Sequence, residues 1–197
     1  MVLRELLASS GWIERTQDFA RTIRRRTTEP GGLLLVGTPE AEPWHLAAHL
    51  DDESRWTGTP ELSPTLVRYA VPLEAPPHLS FTLERLEAAR RGETVFVVSE
   101  ESAPEQLLQR AWDARKLGAT VLSLDAGDAE LHEVAHESLT VLSDQTELVT
   151  PELEVVSFDS VQHLVSVAAG EAAQSKPSRS VRERMASLLE SITGPRI

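Results

Sequence analysis

Short apolar runs alternate with amphipathic stretches along this chain. Apolar runs of about five residues, most of them bounded by glycine or proline, are typical of strands buried on both faces of a sheet. Apolar residues that recur three to four positions apart predict helices that pack by one face. The predicted strands are 32–37, 66–71, 94–98, 120–124 and 138–142. The predicted helices are 12–26, 43–50, 81–91, 104–117, 129–135 and 158–173.

The alternation of strands and helices predicts βαβ units, because right-handed crossovers bring consecutive strands into one parallel sheet. We therefore expect an α/β fold with three αβα layers and a five-stranded, mostly parallel sheet. Residues 1–173 would form this domain together with its N-terminal helices, and Val155 with Val156 would add an edge strand. Residues 174–197 would form a polar hinge and a C-terminal amphipathic helix at 182–192.

Composition narrows the classes of partner. The 197 residues suffice for one domain with its own core. Asp and Glu number 31 against 19 Lys and Arg, and a net charge of −12 repels phosphate backbones and anionic lipid. We therefore expect neither nucleic acid nor a membrane as partner. No cysteine is present, and we recognise no signal peptide or apolar run of ~20 residues, so the expected location is the cytoplasm.

Three stretches carry a family likeness. Residues 104–124 (PEQLLQRAWDARKLGATVLSL) combine a helix, a Lys-Leu-Gly-Ala turn and a strand, and 131–142 (LHEVAHESLTVL) lead from a short helix into an apolar strand. Residues 45–48 (HLAA) are similar to a His-Phe-Ala-x run on a first crossover helix. Together they resemble the sugar isomerase (SIS) domain family, in particular its phosphoheptose isomerase branch, over 12–173. The resemblance implies a helix-flanked parallel sheet and a homodimer or homotetramer with sites between subunits.

The resemblance also implies a sugar-phosphate site after the first and third strands. In the family, a loop rich in serine and glycine holds the phosphate at a helix N-terminus, where the dipole favours anions. Here that loop reads VSEESA at 98–103, and the loop after the first strand is shorter and acidic. The candidate ligand-binding residues are Gly37, Thr38, His45, Ser99, Glu100 and Ser102.

Two observations argue against ordinary isomerase chemistry. The family moves a proton with a carboxylate and a histidine, and these positions correspond to His49 and Val165 here. Glu100 and Glu101 also place two carboxylates where the family binds a phosphate. Like charges about 4 Å apart repel by ~4 kcal/mol at an effective dielectric of 20, which exceeds the ~1.5–3 kcal/mol that a charge-assisted hydrogen bond would contribute. We therefore predict a non-catalytic, cofactor-free SIS-like protein that binds a carbohydrate derivative or serves in assembly. The alternative is an active phosphosugar isomerase with a rebuilt site, in which His45 and His49 are the candidate catalytic residues.

Residues 132–136 (HEVAH) form a literal H-E-x-x-H motif, which predicts a zinc hydrolase when it lies on a long helix. His132 and His136 would be ligands, Glu133 the general base, and Glu152, Glu154 or His163 a third ligand. Strand-like sequence resumes at 138 and leaves scarcely two helical turns, so we assign no metal site and keep zinc hydrolysis as the weaker alternative. The tryptophans are expected in the core or at an interface, namely Trp44, Trp56 and Trp112.

Overall fold

The computed structural model describes residues 11–141 and 157–171. Its strands are β1 (Leu33–Val36), β2 (Pro64–Val67), β3 (Thr94–Ser99), β4 (Thr120–Asp125) and β5 (Glu137–Thr140). Its α-helices are α1 (Trp12–Arg26), α2 (Trp44–Thr57), α3 (Glu84–Glu87), α4 (Glu105–Lys116), α5 (Ala129–Val134) and α6 (Phe158–Glu171). Single turns of 3-10 helix cover Pro60–Leu62 and Pro77–Leu79.

The five strands form one parallel sheet in the order β2-β1-β3-β4-β5. β2 and β3 lie on opposite sides of β1, so the strand order reverses between β1 and β3. Helices α1, α2 and α6 cover one face of the sheet, and α3, α4 and α5 cover the other. The predicted three-layer α/β fold is therefore confirmed.

Side-chain alternation along each strand explains why the runs are apolar throughout. Leu33 and Leu35 of β1 pack under α1, α2 and α6, whereas Leu34 and Val36 pack under the opposite helices. All four side chains are completely buried. Burying one such side chain contributes about 1.5–3 kcal/mol, so both helical layers are fixed to the sheet.

The sequence prediction fails most clearly between β2 and β3. The amphipathic pattern predicts a helix at 81–91, but α3 has a single turn, Glu84–Glu87. The Arg68 N–H donates to the Phe81 carbonyl at 2.9 Å, and Arg68 forms a parallel bridge with Thr82. This segment therefore continues the edge of the sheet instead of starting a helix.

Two other elements differ in their boundaries. β2 begins at Pro64, earlier than the predicted 66–71, and an edge strand tolerates a proline because one side of it needs no ladder hydrogen bond. α2 continues past the predicted 43–50 to Thr57 and ends at Gly58, whose φ of 66° is left-handed. The extra turns of α2 carry Glu53 over α6.

Several sequence predictions lie outside the described residues: the edge strand at Val155 and Val156, the hinge, and the helix at 182–192. The proposed domain boundary after residue 173 is likewise a prediction. Within 11–141 and 157–171, no helix combines the length and apolar character needed to cross a membrane.

Candidate functional site

The carboxyl ends of β1 and β3 enclose a small pocket of about 180 Å³, which we call the switch-point pocket. In open parallel sheets, ligands bind where the strand order reverses, and this pocket lies at that point. His45 of α2, Glu100 of the loop after β3, and Asp159 and Gln162 of α6 contribute polar groups to its wall. The pocket is thus built by the first crossover, the loop after β3 and the last described helix.

Three histidines meet beside this pocket, and we call them the three-histidine cluster. His45 and His49 are one turn apart on α2, with their Nε2 atoms 2.9 Å from each other. His163 reaches them from α6, and its ring centroid lies 4.6 Å from that of His45 and 4.4 Å from that of His49. The cluster exists because α2 and α6 pack side by side on the same face of the sheet.

The surroundings of His49 and His163 disfavour the protonated form of the imidazole. Burial lowers the pKa of His49, and the charge of His45 adds to that effect. Burial also lowers the pKa of His163, with further contributions from His49 and His45. His163 Nδ1 is buried and has no hydrogen-bond partner among the described residues. Neutral imidazole with an unused nitrogen lone pair is the form that binds a metal.

The cluster has the donor set of a transition-metal site. One nitrogen from each of His45, His49 and His163 can be chosen so that all three lie within 4.8 Å of one another. A tetrahedral zinc ion with Zn–N bonds of 2.0–2.1 Å requires separations of about 3.3 Å, so small side-chain rotations bring the three nitrogens into place. Three histidines leave one coordination position open for an oxygen ligand.

Charge around the pocket is negative. Arg68 neutralises Glu42 through a largely buried ion pair, with Nε 2.9 Å from Oε2, and the guanidinium lies over the Trp44 ring. Glu100 and Asp159 form no ion pair among the described residues, and both line the pocket. A cation in the pocket is therefore favoured, and an isolated anion is opposed.

Two of the groups that the resemblance would assign to phosphate binding are engaged by the chain itself. Asp128 accepts a hydrogen bond from the Ala103 N–H at 2.7 Å, just before α4 begins, and also caps the N-terminus of α5. Ser99 is buried and donates its hydroxyl to the Glu101 carbonyl. Ser102 is exposed. An internal carboxylate thus satisfies one donor that an external phosphate would otherwise contact.

Gly37 and Thr38 belong to a tight turn after β1. A Cβ on Gly37 would lie 2.1 Å from the Ala41 carbonyl oxygen, so only glycine fits there. The Ala41 N–H donates to the Thr38 carbonyl at 3.3 Å and to the Thr38 hydroxyl at 3.2 Å, and the Thr38 N–H donates back to the Ala41 carbonyl at 3.1 Å. The turn explains both residues structurally, and their ligand-binding role stays a prediction.

The H-E-x-x-H motif does not assemble a metal site. His132 lies on the short helix α5, and its Nε2 is 2.8 Å from Oδ1 of the buried Asp125. His136 lies beyond that helix, and its Nδ1 accepts the Val121 N–H at 3.0 Å. His163, one of the suggested third ligands, is part of the three-histidine cluster instead. The other suggested third ligands, Glu152 and Glu154, lie outside the described residues, and the contacts of His132 and His136 argue against the zinc-hydrolase alternative.

The sequence suggests His163 only as a third ligand of the H-E-x-x-H motif, not as a partner of His45 and His49, and it gives Asp128 no site role. Both act through contacts distant in sequence, since His163 meets α2 across more than a hundred residues. The recognisable signal was His163 standing on an otherwise apolar helix. The tryptophans are not core residues: Trp44, Trp56 and Trp112 are 41%, 69% and 43% exposed, and their interface role stays a prediction.

Comparison with known proteins supports the fold. No family model and no curated protein matches the sequence. A provisionally assigned phosphosugar isomerase from Salmonella typhimurium LT2 aligns with a TM-score of 0.54 at 12% identity, over 91% of this chain and 49% of that chain. Another provisionally assigned phosphosugar isomerase, from Silicibacter pomeroyi DSS-3, aligns with a TM-score of 0.57 at 14% identity, over 96% of this chain and 51% of that chain. The Vibrio vulnificus NanR protein complexed with ManNAc-6P aligns with 0.50 at 16% identity, over 96% and 69%.

These likenesses show that the chain has a SIS-like fold, as its sequence predicts. This chain spans about half the length of the two isomerase-like structures. At this level of identity the comparison concerns the fold alone. The function must therefore be argued from the residues of the site.

Proposed function

We propose that this protein is a SIS-type binding domain for a carbohydrate derivative, which it holds through a divalent metal ion. His45, His49 and His163 would bind the ion, and the ligand would occupy the adjacent switch-point pocket. The single observation that carries the proposal is the three-histidine cluster beside the point of strand-order reversal. Three imidazoles suit zinc, and also nickel or copper.

The carbohydrate part of the proposal is supported by fold and by pocket chemistry. The NanR protein, which has the same type of fold, was solved with a sugar phosphate, ManNAc-6P. In the present chain Glu100 and Asp159 are acceptors, which suits the hydroxyl donors of a sugar. A sugar oxygen would fill the open metal position, and neighbouring hydroxyls would donate to the carboxylates.

A bound metal would also resolve the electrostatic conflict in this pocket. Without it, the carboxylates oppose an anionic ligand. A divalent ion at the three-histidine cluster would offset two negative charges, so that a sugar phosphate or a sugar acid could approach. We therefore expect an anionic sugar to bind only in the presence of the metal, and a neutral sugar to depend on it less.

The test combines metal binding with ligand binding. Zn²⁺ titrated by calorimetry should bind with one-to-one stoichiometry, and Co²⁺ should give the visible absorption of a tetrahedral site. Metal at a hundredfold excess over Kd should stabilise the protein by about 2.7 kcal/mol. His163→Ala should abolish this effect, whereas His78→Ala, which removes an exposed histidine outside the cluster, should leave it unchanged. Equal zinc binding in wild type and His163→Ala would disprove the metal site.

The ligand is tested in the same protein. A thermal-shift panel of sugar phosphates, free sugars and nucleotide sugars is recorded with and without Zn²⁺. The proposal requires at least one stabilising sugar derivative, and the shift produced by a neutral sugar should shrink in Glu100→Gln, because its hydroxyl groups would lose a carboxylate acceptor. Zinc binding without any carbohydrate effect would leave a metal-binding protein and remove the carbohydrate assignment.

An active isomerase is the second candidate function. It is favoured by one observation, the open position of a three-histidine site, because a metal there would polarise a sugar carbonyl. Glu100 lines the same pocket and would carry the proton between adjacent carbons, since a histidine bound to the metal is not free to do so. Turnover of a ketose phosphate that is lost in His49→Ala would support this function over binding alone. No turnover with the metal loaded would exclude it.

The proposal includes assembly into a homo-oligomer and a cytoplasmic location. Exposed tryptophans on α2 and α4 support a protein interface, since aromatic residues are enriched there. Light scattering after size-exclusion chromatography measures the mass of the assembly. Cell fractionation of the untagged protein tests the location.

A further inference from the structure

A second concavity lies at the opposite edge of the sheet, where β3, β4 and β5 begin. Its volume is about 940 Å³. Arg25 and Arg26 reach it from the end of α1, Arg91 from the turn before β3, and Arg115 from the end of α4. His136 joins them from the connection before β5. We call this surface the basic groove.

Three of the four arginines have no counter-ion among the residues that the structure describes. Within the described part of the chain, Arg25, Arg26 and Arg91 form no ion pair, and all three are exposed. Arg115 is instead held by the carbonyl groups at the end of α5, with 2.6 Å to that of Val134. Acidic residues outnumber basic ones by 31 to 19 in this chain, so carboxylates are abundant elsewhere. The convergence of unpaired guanidinium groups therefore calls for an external anion.

Helix dipoles reduce this positive charge but do not cancel it. The carboxyl ends of α1 and α4 each contribute roughly −0.5 elementary charge near the groove. Glu137 is the one carboxylate among the described lining residues. Against four guanidinium groups, these contributions leave a net charge of about +2.

His136 lies within the electrostatic field of the groove arginines. Its Nδ1 accepts the Val121 N–H, so the neutral ring carries its proton on Nε2 and remains a donor. Burial lowers the pKa of His136, and the nearby Arg115 and Arg26 guanidinium groups lower it further. Those two arginines therefore lie close enough to act on the ring together, from α1 and from α4.

We propose that the basic groove binds a small anion that carries two or more phosphate groups. Paired guanidinium groups match phosphate oxygens by bidentate hydrogen bonds. Among the described lining residues, no aliphatic side chain is larger than that of Ala119, and no phenyl or indole ring is present. The groove thus lacks the stacking platform that single-stranded nucleic acid uses and the apolar anchor that a peptide partner uses. It lies across the sheet from the three-histidine cluster and is independent of the proposed carbohydrate site.

The experiment uses the full chain and inorganic tripolyphosphate as the probe. Calorimetry at about 50 mM salt should show saturable one-to-one binding that weakens as salt increases. NMR titration of the His136 ring should show its pKa rising when the probe is bound, because the anion offsets Arg26 and Arg115. The double variant R26Q/R91Q should bind at least tenfold more weakly, and R55Q, which removes an exposed arginine of α2, should bind as wild type does.

Several outcomes would overturn the proposal. No saturable binding at low salt, or equal weakening by R55Q and R26Q/R91Q, would show only non-specific charge attraction. Tight binding of an oligothymidylate without binding of tripolyphosphate would show that the ligand of the groove is single-stranded nucleic acid and not a small anion. Circular dichroism checks the fold of each variant, and if R26Q/R91Q does not fold, R91Q alone must weaken binding at least threefold. Arg91→Lys keeps the charge but loses the bidentate geometry, so its affinity for tripolyphosphate should lie between those of wild type and R91Q.

Discussion

Replacing Gly170 with alanine tests the packing that creates the candidate site. Gly170 lies on α6, two turns beyond His163, and faces α2. A Cβ built at this position would lie 1.8 Å from Glu53 Oε2 and 3.1 Å from Glu53 Cγ. Glu53 lies one turn beyond His49 on α2, and only 3% of its surface is exposed. The contact between Gly170 and Glu53 therefore sets the separation of the two helices next to the three-histidine cluster.

Helix propensity and packing predict changes of opposite sign in the free energy of unfolding for this substitution. In a helix interior, alanine is favoured over glycine by about 1 kcal/mol. Here the side-chain end of the buried Glu53 would have to move by about 1.6 Å or more to restore an ordinary contact of 3.4–4 Å. Overpacking of this kind costs about 1–3 kcal/mol, and the burial of Glu53 places the cost at the upper end. We expect Gly170→Ala to lower the free energy of unfolding by about 1–2 kcal/mol, which lowers Tm by roughly 4 °C.

A double-mutant cycle separates this effect from a general loss of stability. Urea unfolding is measured for wild type, Gly170→Ala, Glu53→Ala and the double variant. Without the Glu53 carboxylate, Gly170→Ala should become neutral or stabilising, because only the helix propensity remains. Zinc affinity should fall in Gly170→Ala and recover in the double variant. An increase in Tm for Gly170→Ala alone, or the same loss with and without Glu53, would refute the steric argument.

Three further substitutions test other parts of the structure. Arg24 donates to the carbonyls of Ala168 and Ala169 at 2.7 Å, so Arg24→Ala should cost about 1.5–3 kcal/mol in thermal unfolding, against almost nothing for the exposed Arg21→Ala. Asp128→Ala removes three accepted backbone hydrogen bonds and should cost about 1–2 kcal/mol by the same assay. Burial, with the nearby arginines, lowers the pKa of His136 from 6.5, so the unfolded chain binds a proton that the folded chain does not. The free energy of unfolding should therefore fall as pH decreases below about 6.5, and less steeply in His136→Gln; identical pH profiles would contradict this assignment.

The sheet was predictable because each strand carries its own signal. β1, β3 and β4 are buried on both faces and mostly apolar, as burial between two helical layers requires. The prediction of a helix at 81–91 was wrong although the segment has helical periodicity. The start of this segment pairs with Arg68 at the edge of the sheet instead. Local patterning describes the preference of a segment, and the neighbouring edge of the sheet decided the outcome here.

The candidate site was only half predictable for the same reason. His45 and His49 are four residues apart, and a helical pattern alone places them on one face. His163 joins them only through the packing of α6 against α2, which no local pattern encodes. The H-E-x-x-H motif matches a metal-binding pattern in the sequence, but its two histidines are engaged by other residues in the fold. His132 contacts Asp125, and His136 accepts the Val121 N–H. Spacing within one helix thus identified candidate ligands, and tertiary contacts selected among them.

The two edges of the sheet differ in charge, and this difference separates their chemistry. The carboxyl edge combines the three-histidine cluster with Glu100 and Asp159, which favours a cation. The amino edge combines unpaired arginines with helix carboxyl ends and favours an anion. A helix dipole alone predicts the reverse, with anions at the carboxyl edge where α4 begins, but Asp128 already lies there. Since a formal charge exceeds the half charge of a helix end, the side chains and not the fold determine which ligand each edge accepts.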